Sequence, residues 1–316
     1  MHCRSFTARR SEDAWPLARI LTSRLSMPVD RVRKLIRECR VQVNGRPCLD
    51  ASRRIHAGQK VRIVVPPRRP NDARSTGSIP IRFRDPHVLV VEKPAGLTTM
   101  RHPYEAAEFG SRGRRFLPKT LLDILKEELP PPQRKSIRAV HRLDKETSGL
   151  VVFALSPLAQ DRLATQFRQH TMQRRYLAIV RGQPVSQRIE SNIVRDRGDG
   201  RRGSGPGPGK RAVTHVRLLE QFAGFALIEC RLETGRTHQV RIHLGESGTP
   251  LVGETVYDRP LQGAPGTRDV PRFPRPALHA ASLGFEHPVT GGRVSLESSP
   301  PADFKALLKR LRGQAR

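Results

Sequence analysis

Residues 66–78 divide the chain. Pro66-Pro67-Arg68-Arg69-Pro70 runs on through Asn, Asp, Arg, Ser, Thr and Gly to Ser78, with no apolar periodicity. A stretch of that kind has no face to bury and is expected to be a linker, here over 67–78. The chain therefore has to fold as two bodies, a small one upstream and a larger one over 79–316. Length argues the same way, because 316 residues are too many for one core of average size and too few for three.

Residues 1–13 are expected to be a tail, and residues 14–66 read as a compact α/β unit. Between Val29 and Arg40 the residues Val32, Leu35, Ile36 and Cys39 recur at helical spacing, while Arg31, Arg33, Lys34, Arg37 and Arg40 fill the other faces. Val41-Gln42-Val43 then alternates into Asn44-Gly45, a hairpin turn signal, and a second strand is predicted over Lys60–Val65 after Ala57-Gly58. Helix, turn and strand would present one cationic surface. The order of these pieces resembles the αL RNA-binding motif first described in a small-subunit ribosomal protein. That resemblance implies RNA contacts from Arg33, Lys34, Arg37, Arg40 and Arg46.

Charge supports a polyanionic partner. The chain holds 58 Lys plus Arg against 29 Asp plus Glu, a net +29, far beyond what solubility asks for. The excess is shared: residues 1–78 carry 18 basic and 6 acidic side chains, so both bodies are expected to touch the polyanion. No run of about 18 apolar residues argues for a membrane span, and Met1–Arg24 lacks the apolar segment of a secretory signal. Cys3, Cys39, Cys48 and Cys230 form no CxxC pair, so neither zinc nor a disulfide framework is indicated. A cytoplasmic protein is expected.

Downstream of the linker, strand patterns dominate. They fall at Ile79–Phe83, Val88–Val91, Tyr176–Val180 and Phe225–Leu232, with helical patterns at Thr120–Leu129 and after Ser156-Pro157, an N-cap followed by proline at the first helical position. An α+β domain is predicted, with a mixed, mainly antiparallel sheet and helices packed on it. Tyr104–Pro118 and Asp196–Lys210 read as long polar loops. The second is Gly-rich, but Ser204 and Arg211 break the phosphate-loop spacing, so a mobile basic loop is expected there.

The string carrying chemistry is His141-Arg142-Leu143-Asp144-Lys145-Glu146-Thr147-Ser148-Gly149, which feeds the apolar run Leu150–Leu155. It sets a carboxylate between two cations, suited to act as nucleophile or base. With its continuation it resembles the signature of the RluA-type pseudouridine synthases. "EKPAGLTT" at 92–99, "RRYLAIVRG" at 174–182, "TGRTHQVRIHL" at 234–244 and "LHAASLGFEHPVTG" at 278–291 follow in that family's order and spacing. The resemblance implies an isomerase that needs no cofactor and no metal. In that reading Asp144 is the catalytic carboxylate, Arg241 its salt-bridge partner and Tyr176 the residue stacked on the base, with His141, Arg142 and Leu232 contacting substrate. It also implies a flipped-out target base, a monomer, and RNA as partner, with large-subunit ribosomal RNA favoured by the N-terminal unit. The polar insertion after Met100 departs from the family pattern and leaves the loop contacts with RNA open.

Other readings have weaker spacing. Asp144 and Glu146 at i, i+2 fix no glycosidase separation. His238 and His243 are five apart, not the helical i, i+4 of a zinc site, and Gly245-Glu246-Ser247-Gly248 misses the nucleophile elbow by one position. The alternatives of substance are a transfer-RNA-directed synthase of the same family and a non-enzymatic RNA-binding or ribosome-assembly protein. The latter has little need for Asp144, Tyr176 and Arg241 in register.

Overall fold

The computed structural model describes residues 4–25, 27–37, 41–63, 78–101, 118–198, 201–258 and 273–314. Among them two compact units separate, one upstream of residue 78 and one built from residues 78–100 and 119–314.

The first unit contains β1 (Arg4–Thr7), β2 (Trp15–Pro16), α1 (Leu17–Leu25), α2 (Val29–Arg37), β3 (Val41–Val43), β4 (Arg46–Pro47), β5 (Arg54–Ile55) and β6 (Lys60–Ile63). An antiparallel sheet runs β1-β6-β3-β4, and β2 pairs with β5. Val32 and Ile36 of α2 pack with Leu17, Ile20 and Leu21 of α1 on Val41, Val43 and Val61, which is the buried stripe that helical spacing predicts. Asn44 and Gly45 both have positive φ, 50° and 81°, as the tight turn between β3 and β4 requires. Residues 4–7 correct the tail expected over 1–13: they form an edge strand against Lys60–Ile63, and Ala8 enters the core. One partly buried aromatic, Phe6, is too little pattern to announce a strand.

Arg33 is exposed on α2, 3.9 Å from Asp30, and Arg46 is exposed beside the turn. The backbones of Lys34 and Arg37 lie on α2, but their side chains, Arg40 and Cys39 fall outside the described residues.

The second unit is built on an eleven-stranded sheet. Its strands are β7 (Ile81–Arg84), β8 (Val88–Lys93), β9 (Arg138–Ala139), β10 (Ser148–Ala154), β11 (Gln173–Arg181), β12 (Gln187–Val194), β13 (Gly203–Ser204), β14 (Lys210–Phe222), β15 (Phe225–Leu232), β16 (Leu278–Glu286) and β17 (Arg293–Glu297). The order is β13-β12-β14-β15-β11-β16-β10-β8-β7, with β17 on β16 and β9 on β10. Its helices are α3 (Leu121–Glu128), α4 (Pro131–Ser136), α5 (Pro157–Arg168), α6 (Gln239–Glu246) and α7 (Ala302–Gln314). The mixed, mainly antiparallel sheet with helices on it is the architecture expected from sequence. Among the described pairings only β10 with β16 is parallel.

Two-sided burial explains the unbroken apolar run after Gly149. Leu89, Val91, Val151 and Phe153 face one side with Leu121 and Leu125 of α3; Val88, Val90, Leu150 and Val152 face the other with Ala159 and Leu163 of α5. Helix starts follow their caps. Thr120 and Asp123 exchange side-chain and backbone bonds, and the Ser156 hydroxyl accepts from Ala159 N at 3.2 Å. Gly149, with φ 119°, lies where β10 meets β16, and a Cβ there would sit 2.2 Å from the Ala280 carbonyl oxygen. Only glycine fits. The expected loop at 196–210 is in part a strand: Ser204 pairs with Ile193, and the Ser204 side chain donates to Glu246. Among the described residues no helix is long and apolar enough to cross a membrane.

Candidate active site around Asp144

Asp144 lies on the connection from β9 to β10, and that connection is held from below by buried groups. Lys93, at the end of β8, is fully buried and donates to the carbonyls of Pro94 (3.0 Å), Leu97 (2.8 Å) and Lys145 (3.0 Å). Three carbonyls match the three N–H groups of an ammonium. Burial pulls its pKa down to about 7, against the opposing pull of Asp144 and Glu146. Gly96 N also donates to the Lys145 carbonyl (2.8 Å), and Thr99 Oγ1 exchanges bonds with the Leu143 backbone. From the other side Arg275, buried, reaches the Glu146 carbonyl at 3.2 Å while gripping Asp303 of α7 through two bonds. Residues on either side of Asp144 are thus fixed by backbone contacts. The carboxylate itself stays partly open, its side chain 18% exposed.

Each oxygen of Asp144 faces one nitrogen. Oδ2 stands 3.9 Å from Arg241 Nη1 and Oδ1 stands 3.8 Å from His238 Nε2. Arg241, on the first turn of α6, makes its close contacts elsewhere: Nε and Nη2 donate to Glu254 at 2.7 and 2.8 Å. The expectation that Arg241 pairs with Asp144 is thereby qualified, because the bidentate partner is Glu254 and Asp144 is the outer one. Glu254 is fully buried and also accepts from the backbone N–H groups of Thr255, Val256 and Tyr257. Burial pushes its carboxyl up, but the Arg241 bonds and the backbone donors outweigh that and hold it below its ordinary pKa. His238 Nδ1 lies 2.7 Å from the hydroxyl of Tyr257, whose ring also stacks near the Arg241 guanidinium.

Tyr176 enters on β11. A register shift against β16 falls between Arg175 and Tyr176, the kind of irregularity that re-aims a side chain beside a functional site. The ring packs among Leu143, Cys230 and Ala280, with Leu232 against the same cluster. Burial raises the phenol's pKa, Asp144 adding to the effect and Arg174 opposing it, so the hydroxyl keeps its proton at neutral pH.

His141 points inward. Its Nε2 accepts from Val152 N at 3.0 Å, its ring stacks on Phe167 with centroids 4.7 Å apart, and burial with the nearby Arg174 lowers its pKa to about 3. That geometry makes it a brace for the loop, in contrast to the substrate contact expected of it. Arg142 is exposed and, among the described residues, makes no hydrogen bond or ion pair. His243 is engaged by Thr214 on one nitrogen and Ser191 on the other.

Asp144, Tyr176 and Arg241 are thus gathered from three separate runs of sequence into one place; His238, which the sequence offers only as half of an ill-spaced zinc pair, joins them, and Glu254, Tyr257 and Arg275 carry no mark in the sequence. Lys93 sits inside the run at 92–99, where nothing in the sequence marks its role. A buried carboxylate matched to Arg241 could have been sought among the few acids downstream of it, but nothing in Gly253-Glu254-Thr255-Val256-Tyr257 marks it.

Residues 87–246 match the family model described as RNA pseudouridylate synthase. A protein of Zymomonas mobilis subsp. mobilis named ribosomal large subunit pseudouridine synthase D is 37% identical over 306 residues, 94% of this chain and 94% of that protein. A protein of Nitrosomonas europaea with the same name is 38% identical over 269 residues, 82% of this chain and 73% of that one. The solved structure of human RNA pseudouridylate synthase domain containing 4 superposes with a TM-score of 0.57 at 24% identity, covering 74% of this chain and 93% of that one. The structural likeness concerns the fold.

Proposed function

Because the chain belongs to the RNA pseudouridylate synthase family, and is therefore an isomerase, we propose that it converts uridines of large-subunit ribosomal RNA to pseudouridine in the cytoplasm, with Asp144 as the reacting carboxylate. The choice of RNA rests on the names of the relatives from Zymomonas mobilis and Nitrosomonas europaea. The observation that carries the reading of the site is one partly open carboxylate set between Arg241 and His238 on a loop held rigid by Lys93 and Arg275.

The reaction rearranges atoms of the uridine, with nothing oxidised, reduced or hydrolysed. The bond from the anomeric carbon to ring nitrogen one breaks, with Asp144 attacking or stabilising that carbon. The base turns and ring carbon five bonds to the sugar, displacing Asp144 where it had attacked; a base takes the proton from ring carbon five, and the freed ring nitrogen one gains one, so the product is an isomer of the uridine. The target must leave the stack first, at a cost of a few kcal/mol. Tyr176 supplies a face for the extruded base, and exposed Arg142 is placed to enter the space it vacates. Residues 14–66 hold RNA through the basic face of α2 and the β3–β4 turn, residues 67–78 join the units, and residues 79–316 carry out the chemistry.

Purified wild-type protein and Asp144→Asn, each incubated with transcribed large-subunit ribosomal RNA and with transfer RNA, provide the test. Pseudouridine mapped by chemical reactivity should appear with the wild type on ribosomal RNA and vanish with the variant, while RNA affinity stays. Turnover by Asp144→Asn within tenfold of wild type would remove Asp144 from the chemistry, and modification of transfer RNA alone would redirect the substrate.

A further inference from the structure

The terminal torsion of an aspartate is soft and roughly two-fold, so fixing the plane of its carboxylate takes an anchor on each oxygen. Arg241, locked by Glu254, faces one oxygen of Asp144. His238 faces the other at 3.8 Å.

Local backbone chemistry does not account for a histidine at 238. The residue precedes α6 with φ 60° and ψ 17°, a left-handed conformation in which glycine or asparagine is more at ease. Its side chain makes no capping bond to the helix that follows. What the imidazole does make is a 2.7 Å contact from Nδ1 to the hydroxyl of Tyr257, with the two rings edge to face at 5.6 Å. Tyr257 is 4% exposed and its own backbone N–H is tied to Glu254, so it is a fixed post.

We propose that His238, held by Tyr257, is a positioning residue for Asp144, presenting an Nε2–H to Oδ1 so that the carboxylate keeps one orientation through the reaction. The proposal rests on Asp144 being the reacting carboxylate. The tautomer follows from the partners. A carboxylate only accepts, so the imidazole proton belongs on Nε2, and Nδ1 then accepts from the Tyr257 hydroxyl. Burial lowers the pKa of His238, Asp144 and Glu254 opposing it and Arg241 and Arg202 adding to it, which keeps a single ring proton at neutral pH. The chain of holders is symmetrical: Glu254 fixes Arg241 on one side, and Tyr257 fixes His238 on the other.

Two isosteres separate positioning from mere packing. His238→Asn suits the left-handed backbone but carries its amide only as far as Nδ1; His238→Gln carries an amide nitrogen out to the place of Nε2. In the full chain, His238→Asn should lose roughly tenfold or more in kcat with RNA affinity unchanged, the scale of a misplaced reacting group. His238→Gln should recover most of that loss. Tyr257→Phe should fall between them and add nothing when combined with His238→Asn. Ring nitrogen NMR of the 15N-labelled wild type should show the His238 proton on Nε2, and in Asp144→Asn the imidazole pKa should drop further as the opposing charge goes. A proton on Nδ1, equal rates for the Asn and Gln variants, or additive losses with Tyr257→Phe would each overturn the proposal. The NMR readout needs no turnover. A chain that formed no pseudouridine would therefore count against the functional reading, while the imidazole assignment would be decided by its spectrum.

Discussion

Replacing Arg241 by Met removes one member of a pair whose side chains are 10% and 0% exposed. Those exposures put the interaction in the buried regime, where stranding one partner costs about 3–5 kcal/mol, rather than the roughly 0–1 kcal/mol of a surface pair. Glu254 keeps three backbone N–H donors, at 3.0, 2.8 and 3.3 Å, so the lower end applies and we expect a loss of about 3 kcal/mol at neutral pH. The pH dependence has a definite sign. In the wild type Glu254 has a depressed pKa, and its contribution is present above the unfolded value of 4.5 and lost as pH falls through the folded one. Without Arg241 burial wins, the folded pKa rises above 4.5, and the variant gains stability as pH falls through it. The deficit should thus be widest at about pH 7.5 and narrow at about pH 5. Urea unfolding followed by circular dichroism measures it. The single tryptophan, Trp15 in the first unit, gives an internal reference that should not move. Turnover should fall at least about a hundredfold, equivalent to about 2.7 kcal/mol. That lies within the roughly 4 kcal/mol attraction of unit charges about 4 Å apart at an effective dielectric of 20. A stability loss under about 1 kcal/mol, independent of pH, would place the pair in the surface regime and refute the argument.

Gly149→Ala drives a methyl into the Ala280 carbonyl and should destabilise the second unit by about 3 kcal/mol or leave it insoluble, read by thermal unfolding; a neutral outcome would mean that the β10–β16 seam opens freely enough to admit a methyl. Lys93→Met leaves the Pro94 and Leu97 carbonyls without their donor, at about 1–3 kcal/mol each, while the Lys145 carbonyl keeps Gly96 N, and should destabilise the second unit in thermal unfolding while Trp15 still reports a folded first unit. Deleting residues 1–66 should weaken RNA binding and flatten its salt dependence by about 0.7 in log K per log salt for each single-stranded phosphate that the shortened chain no longer neutralises; an unchanged slope in filter binding would take the first unit off the RNA.

Local signals carried the sequence reading far where the physics is local. The Asn44-Gly45 turn, the Ser156 cap and the stripe of α2 are each set by neighbours in sequence, and each lies where spacing placed it. Phe225–Leu232 was bounded to the residue. The site was legible only as far as its strings: Asp144, Tyr176 and Arg241 stand in recognisable runs, whereas Glu254 and Tyr257 take part through burial and through partners that sequence does not reveal. His141 and Arg275 make the same point, since their meaning lies in contacts with Val152, Phe167, Glu146 and Asp303 that only the fold creates.

The anchoring of the Glu146 carbonyl by Arg275 joins groups 129 residues apart, and the Ser148 hydroxyl meets His279 across 131. Loops that long close slowly, because their entropy is lost before any contact repays it. If the first unit holds RNA as proposed, it would emerge from a ribosome and fold early, able to grip RNA, while the loop carrying Asp144 waits for a strand and a helix made more than a hundred residues later. Binding would mature before chemistry in each newly synthesised molecule, and a chain stalled before residue 275 would hold RNA without altering it.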